Sequence, residues 1–342
     1  MEKRNTSGMT IRFWGVRGSI PAPLRGTQIE RKITQALLLA LQSGIRFADE
    51  DKAREWLRQN LPFETYSTYG GNTPCVEVRC GGGLIILDMG SGLRELGKSL
   101  MRETLAKKGL HGAILQSHVH WDHIQGFPFW SQLYLPRAKF ANSFTFFGGK
   151  MWDAQLETVL AGQMNPPVFP VSFGELKQTG MQMDFRAIHD GWQGRLDEMG
   201  ILGEDVRVLA RKLNHPQETF GYRIGFAGKT IAYTTDHEPY AAGLTAGLVE
   251  LVRDVDIWIT DCQYSREGYM GAGNGPAKQG WGHSFPEYLA EIATEAKPKS
   301  ILTFHHDPDA DDQAVRALAE RIRGSCGVPT EAAHEGLEIE LG

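Results

Sequence analysis

The chain has 342 residues, 41% hydrophobic and 23% charged, with 36 basic against 41 acidic side chains and a net charge of −5. At about 150 residues per domain this length allows two domains, although a layered α/β sandwich often takes it as one; the composition excludes a disordered chain, and the charge excludes an overall basic field that would gather nucleic acid or anionic lipid. The most apolar helical stretch, 36–41, is far shorter than the ~20 residues of a membrane span, the first eight residues lack the apolar run of a secretory signal, and four cysteines without Cys-x-x-Cys spacing point to reduced thiols, so we expect a cytoplasmic protein with no membrane partner.

Glycine, 40 of the 342 residues, marks many tight turns, and strand-like runs bounded by it recur from the start. Strands are expected over 10–14, 74–80 and 84–87, as a β-meander. Between the first two, 28–60 reads as helical, with Ile33, Leu37, Leu41, Trp56 and Leu57 at helical spacing, and we take it as an insertion. A helix over 93–108, with Leu93, Leu96, Leu100 and Leu105 on one face, leads to a strand over 113–116. The middle is mixed: a strand over 144–147, a helix over 152–160, a crossing at Pro166, Pro167 and Pro170, and a strand over 183–188. Strands over 206–213, 220–226 and 230–235 follow, then a helix over 244–253, a strand over 257–260, a helix over 286–296, a strand over 301–304, a helix over 310–323 and two closing strands, with His334 before a hairpin glycine. This order fits one α/β domain, 1–342, in which two sheets pack face to face with helices outside: a four-layer αββα sandwich.

The strongest chemical signal is Ser117-His118-Val119-His120-Trp121-Asp122-His123, at the end of the strand over 113–116. Side chains of an extended segment alternate, so His118 and His120 point to one side, and a turn at Trp121 brings Asp122 and His123 to a second point. Imidazole and carboxylate so arranged suit two adjacent divalent ions, zinc first, with manganese or iron as alternatives.

With this cluster, Phe13-Trp14-Gly15-Val16-Arg17-Gly18-Ser19-Ile20-Pro21, Gly70-Gly71-Asn72-Thr73-Pro74-Cys75 and Leu87-Asp88-Met89-Gly90, the chain resembles the metallo-β-lactamase superfamily, whose signature is His-x-His-x-Asp-His after a strand. It is most similar to the branch that holds ribonuclease Z and related cyclic phosphodiesterases. The resemblance implies the αββα fold and a dinuclear site. It implies His215 as a further ligand, Asp236 as the carboxylate bridging both ions, and a last histidine after a late strand, where the family's strand-His-x-x-Pro ending favours His305 over His306. One ion then falls to His118, His120, His215 and Asp236, the other to Asp122, His123, Asp236 and His305. Cys262 does not stand where β-lactamase-type sites carry a cysteine, so antibiotic hydrolysis is not expected.

Two ions that share a hydroxide supply the nucleophile, with Asp122 as ligand and catalytic residue alike; a proton is still needed for the leaving oxygen. His283, in Gly280-Trp281-Gly282-His283-Ser284, is the candidate donor and Asp261 its orienter, by role and by similarity to a late Glu and His pair in ribonuclease Z-like enzymes. Asp261 is one methylene shorter than that Glu, so a looser or water-mediated contact is expected. Arg17 is read as a phosphate contact or a solvated turn residue, His189 and His237 as mouth residues without a ligand role, and His306 with Asp307 as support for His305. One or two of Trp121, Phe127, Phe129, Trp130 and Tyr134 can stack a base, and the glycine-rich segment 265–282 can cover the site. The leading function is a phosphodiesterase on a small cyclic or nucleotide-like diester. Its alternatives are a ribonuclease Z-like RNA 3′-end endonuclease, a lactone or thioester hydrolase, and a non-enzymatic metal-containing ligand sensor. A homodimer is expected from base rates.

Overall fold

The strand Gly83–Leu87 is apolar almost throughout because both its faces are covered: Ile85 and Leu87 join the core between two sheets, Leu84 and Ile86 the core beneath a helix. The computed structural model describes residues 8–150, 155–241, 243–272 and 275–342. One sheet holds β1 (Met9–Gly15), β2 (Cys75–Cys80), β3 (Gly83–Leu87), β4 (His111–Leu115), β5 (Ser143–Gly148) and β6 (Gln182–Ala187). The other runs from β7 (Gln193–Arg195) through β8 (Arg207–Leu213), β9 (Thr219–Phe226), β10 (Lys229–Thr234), β11 (Ile257–Asp261) and β12 (Ile301–Phe304) to β13 (Thr330–Ala332), and the final strand, β14 (Glu338–Leu341), returns to the first sheet beside β1. Phe13, Ile85, Leu87 and Leu115 meet Phe220, Tyr222, Ile224, Ile259 and Phe304 between the sheets.

The chain also forms α1 (Gly26–Gln42), α2 (Glu50–Asn60), α3 (Phe63–Tyr66), α4 (Gly92–Lys107), α5 (Leu156–Gly162), α6 (Phe173–Thr179), α7 (Ala246–Val252), α8 (Arg266–Tyr269), α9 (Pro286–Ala296) and α10 (Asp312–Cys326). Leu93, Leu96 and Leu100 of α4 cover the outer face of the first sheet. Leu248 and Leu251 of α7, Leu289 and Ile292 of α9, and Ile322 of α10 cover Trp258 and Ile301 on the second. The result is the expected four-layer sandwich. In each sheet one half is parallel, β3 to β6 in the first and β10 to β13 in the second, so several strands end on the same side. Loops at such carboxyl ends are where α/β sheets gather functional groups.

The structure departs from the sequence reading at several points. Residues 152–154 of the helix expected over 152–160 lie outside the described residues, and α5 starts at Leu156. Helix α6 was unexpected, although Ser172 and Glu175 cap it reciprocally. The closing strands do not form a hairpin: β13 is parallel to β12 and β14 antiparallel to β1, in different sheets, and the His334 ring packs 4.7 Å from that of Phe63. Asp311 caps α10 by accepting a hydrogen bond from the Ala314 N–H, which sets the start of that helix. All four cysteines are free and three are buried. The segment 28–60 is helical, but neither α1 nor α2 has a buried residue. Among the described residues no helix is long and apolar enough to cross a membrane.

Candidate metal centre

The residues singled out in the sequence meet where β4, β8, β10, β11 and β12 end. After β4 the chain stays extended through His118 and His120, then makes a single 3₁₀ turn at Trp121–His123 that carries Asp122 and His123 round to the second sheet. His118, His120 and His215 form one group of converging donor atoms, with His120 Nδ1 3.0 Å from His215 Nε2. Asp122, His123 and His305 form another, with His305 Nε2 3.1 Å from Asp122 Oδ2 and 3.3 Å from His123 Nε2. Asp236 lies between them: Oδ1 is 3.8 Å from His118 Nε2 and 3.3 Å from His305 Nε2, while Oδ2 is 3.2 Å from His123 Nε2. Every ligand expected from the sequence is therefore in one place, with Asp236 central.

Three of the imidazoles, His123, His215 and His305, are aimed by a partner on the other nitrogen. Asp88, at the end of β3, accepts from His123 Nδ1 at 2.8 Å and also from the Ser117 N–H, the Ser117 hydroxyl and the Tyr233 hydroxyl. The Gly282 carbonyl accepts from His215 Nδ1 at 3.0 Å, and Gln263 Oε1 from His305 Nδ1 at 2.9 Å. Gln116 donates to the carbonyls of both His118 and His123, closing the loop between them. The Ser19 N–H donates to Asp122 Oδ2 at 2.8 Å. Ser19, Asp88, Asp236 and His305 all have φ between 52° and 63°, and they are half of the eight non-glycine residues with positive φ among the described residues. Such backbone costs about 1–3 kcal/mol per residue and persists where surrounding contacts enforce it.

The electrostatics call for cations. Asp88, Asp122, Asp236 and Asp261 are buried, and among the described residues their ion-pair partners are histidines, with no lysine or arginine. Burial opposes charge on His123, but Asp236, Asp122 and Asp88 outweigh it and hold the imidazole well above its ordinary value. Burial likewise opposes charge on Asp122 and Asp236, yet His123 and His305 keep both carboxyls well below the ordinary range. Burial pushes His118 well down and His215 down to about 4, leaving neutral imidazoles with free lone pairs. His118 Nε2 is buried without a hydrogen-bond partner. Buried carboxylates with no lysine or arginine partner and an orphaned imidazole nitrogen are costly in a bare site, and divalent ions would satisfy both. The residues fit two ions.

His283 lies beside this group. Its Nδ1 is 2.7 Å from Asp261 Oδ2 and 3.9 Å from Asp236 Oδ1, so the contact with Asp261 is direct, not the looser or water-mediated one expected. Asp261 is itself fixed by the Ser284 and Gln263 N–H groups.

Other expectations are corrected. Arg17 is buried, donating to the carbonyls of Gly70, Asp307 and Ala310, so it ties its own loop to two others and is not a solvated turn residue. His306 turns away from His305 to the Ala333 carbonyl at 2.8 Å and gives it no support. His237 is buried against Thr260 and Ser284, and His189 is exposed beside the Asp190 carbonyl. Phe127 and Trp130 are core, whereas Trp121 is 74% exposed next to Asp122 and Trp281 52% exposed near His283. Sequence reasoning missed Asp88, Gln263 and Gln116 as supports. Asp88 had a signal, a carboxylate in a quoted strand-end motif; Gln263 and Gln116 had none.

Gly282 has φ +84°, and a Cβ there would stand 1.9 Å from His215 Nδ1. Gly282→Ala is expected to push His215 aside and weaken metal affinity about 10–100-fold, the usual cost of disturbing a ligand's support. Zinc titration against a competing chelator reads this, and unchanged affinity would show that His215 is not held by this contact.

The model of the beta-lactamase superfamily domain matches residues 85–306. No curated protein matches the sequence at a significant level. Among solved structures, the fold is shared with the metallo-beta-lactamase fold protein YhfI from Bacillus subtilis, at TM-score 0.61 and 15% identity over 97% of this chain and 99% of that one. It is shared with a new diphosphatase from the PhnP family, at 0.59 and 19% over 98% of each chain. It is shared too with the short form of human tRNase Z, at 0.56 and 17% over 97% of this chain and 99% of the other.

Proposed function

Because the chain belongs to the beta-lactamase superfamily, we propose that it is a dinuclear metal-dependent hydrolase whose substrate is a small cyclic or nucleotide-like phosphodiester. The observation that carries this reading is the pairing of two all-His/Asp donor groups around Asp236 with an imidazole, His283, held by a carboxylate at their edge. His118, His120, His215 and Asp236 would hold one ion, zinc in the first instance, and Asp122, His123, Asp236 and His305 the other. Divalent ions held by these residues would supply a water activated near neutral pH and charge stabilisation at a phosphoryl centre.

The chain's own residues do the rest. Asp88, Gln263 and the Gly282 carbonyl fix the tautomer and direction of three imidazoles. Asp261 accepts a hydrogen bond from Nδ1–H of His283 and stabilises the imidazolium, which leaves Nε2–H to give its proton to the departing oxygen. Burial opposes charging His283, but the contact with Asp261, with Asp236 behind it, outweighs burial and raises its pKa before any ion is bound. Exposed Trp121 and Trp281 flank the ligands Asp122 and His215 in sequence or through Gly282, and offer faces for an aromatic substrate group. Two proteins of the same fold are by name a diphosphatase and a tRNase, which supports phosphate-ester chemistry here.

The test is hydrolysis of bis(p-nitrophenyl) phosphate by protein stripped of metal and reloaded with Zn²⁺ or Mn²⁺. Turnover should appear only on reloading and be absent from an Asp122→Ala control, which should bind one ion fewer. Two bound ions without turnover of this or any cyclic nucleotide would overturn the phosphodiesterase reading and direct the search to lactones and thioesters.

A further inference from the structure

Helix α1 is amphipathic in the reverse sense. A surface helix of a globular protein ordinarily turns its apolar stripe to the core and its polar face to water. In α1 the half-buried side is Gln28, Lys32, Gln35, Ala36 and Ala40, whereas Ile29, Ile33, Leu37 and Leu41, each four residues on from the last, point outward. Lys32 anchors the inward side, donating to the carbonyls of Glu64 and Ser67 and to Asp312 Oδ2. The outward row is 45%, 55%, 59% and 76% exposed, and Leu38, with Ile45 and Phe47 just past the helix, adds to it at 38–52%. These seven residues are among the sixteen large exposed hydrophobics of the described residues, gathered on 19 consecutive positions. An apolar patch of this kind marks an interaction surface.

We propose that this face is covered by the same face of a second copy of the chain, so that two α1 helices pack across a twofold axis near Leu37. The area favours this occupant. If full burial of a Leu or Ile takes about 100 Å² of apolar surface from water, the seven residues leave on the order of 400 Å² to be covered. A standard interface takes about 800 Å² from each partner, a little over half of it apolar, so one such patch per chain supplies the apolar part of a standard interface. A row repeated every four residues along a single helix is also self-complementary when a second copy meets it antiparallel, as a twofold interface requires. A membrane surface is disfavoured, because interfacial helices keep a Lys- and Arg-rich face toward water, whereas the polar side of α1 is docked on its own protein through Lys32 and the chain carries a net charge of −5.

The test is the molar mass of the full-length, metal-loaded protein by light scattering across a concentration series. The expected result is a dimer of twice the 38.0 kDa chain, and a Leu37→Lys/Leu41→Lys variant with unchanged circular dichroism whose dimer dissociation constant rises about 100-fold or more, as at a central interface residue. Both side chains are exposed, so the substitutions leave the fold intact; should the variant aggregate, Leu37→Cys reads the same contact by oxidative cross-linking of two chains at position 37. A wild-type monomer at all concentrations, a variant that stays dimeric, no cross-link at position 37, or a wild-type monomer that binds phosphatidylcholine vesicles would each overturn the proposal.

Discussion

Asp236→Asn is expected to fold like the parent chain and to lose metal, with turnover falling about 10³-fold or more, since the charge stabilisation that ions supply amounts to several kcal/mol. Asparagine is the informative substitution because Asp236 has φ +52°, a conformation that Asn tolerates and most side chains do not. It keeps the shape and the contact with the Thr235 hydroxyl while removing the charge. That charge is what both donor groups share: Asp236 oxygens lie 3.2 Å from His123 Nε2, 3.3 Å from His305 Nε2 and 3.8 Å from His118 Nε2. Inductively coupled plasma mass spectrometry of the purified variant should give fewer than two ions per chain. Two ions with parental turnover would remove Asp236 from the bridging position.

The second large effect separates the chemistry from the binding. His283→Ala is expected to keep both ions and to lose about 10²–10⁴-fold in kcat, the range that a positioned proton donor contributes. The same side chain has another reading, because His283, Asp236, Asp261 and His305 also converge as a group that could hold a cation. Metal content decides between them. A variant that loses an ion identifies His283 as a ligand, and one that keeps both ions and full turnover takes it out of the mechanism. Substrates with a good leaving group need less protonation, so p-nitrophenyl esters should suffer less from the substitution than alkyl diesters; an equal loss on both would argue for a structural role.

Much of the site was legible because its signals are local. His118, His120, Asp122 and His123 lie within six residues, and the alternation of an extended segment followed by one turn places them without knowledge of the fold. His215, Asp236 and His305 were reached through strand ends and a family pattern, and the distances bring all three to the same point. Between His305 and His306 the contacts of the two rings decide. With φ +55° at His305 its ring enters the cluster, and His306 is left to face the Ala333 carbonyl. Arg17 was misread because a guanidinium in a glycine-rich turn looks solvated until two loops from distant parts of the chain close over it.

By itself, then, the sequence determined most of the elements, the layered class and the local cluster of candidate donors at 118–123, since periodicity and residue chemistry are properties of neighbouring positions. Only the tertiary structure decided what those donors lean on and what covers each face. Asp88 reaches His123 across 35 positions, Gln263 meets His305 across 42, and Asp122 meets His305 across 183. The stripe on α1 makes the same point in reverse. Its spacing correctly signalled a helix, but an apolar row records only that a surface prefers to leave water, and which surface covers it is set by packing, which here turns the row outward.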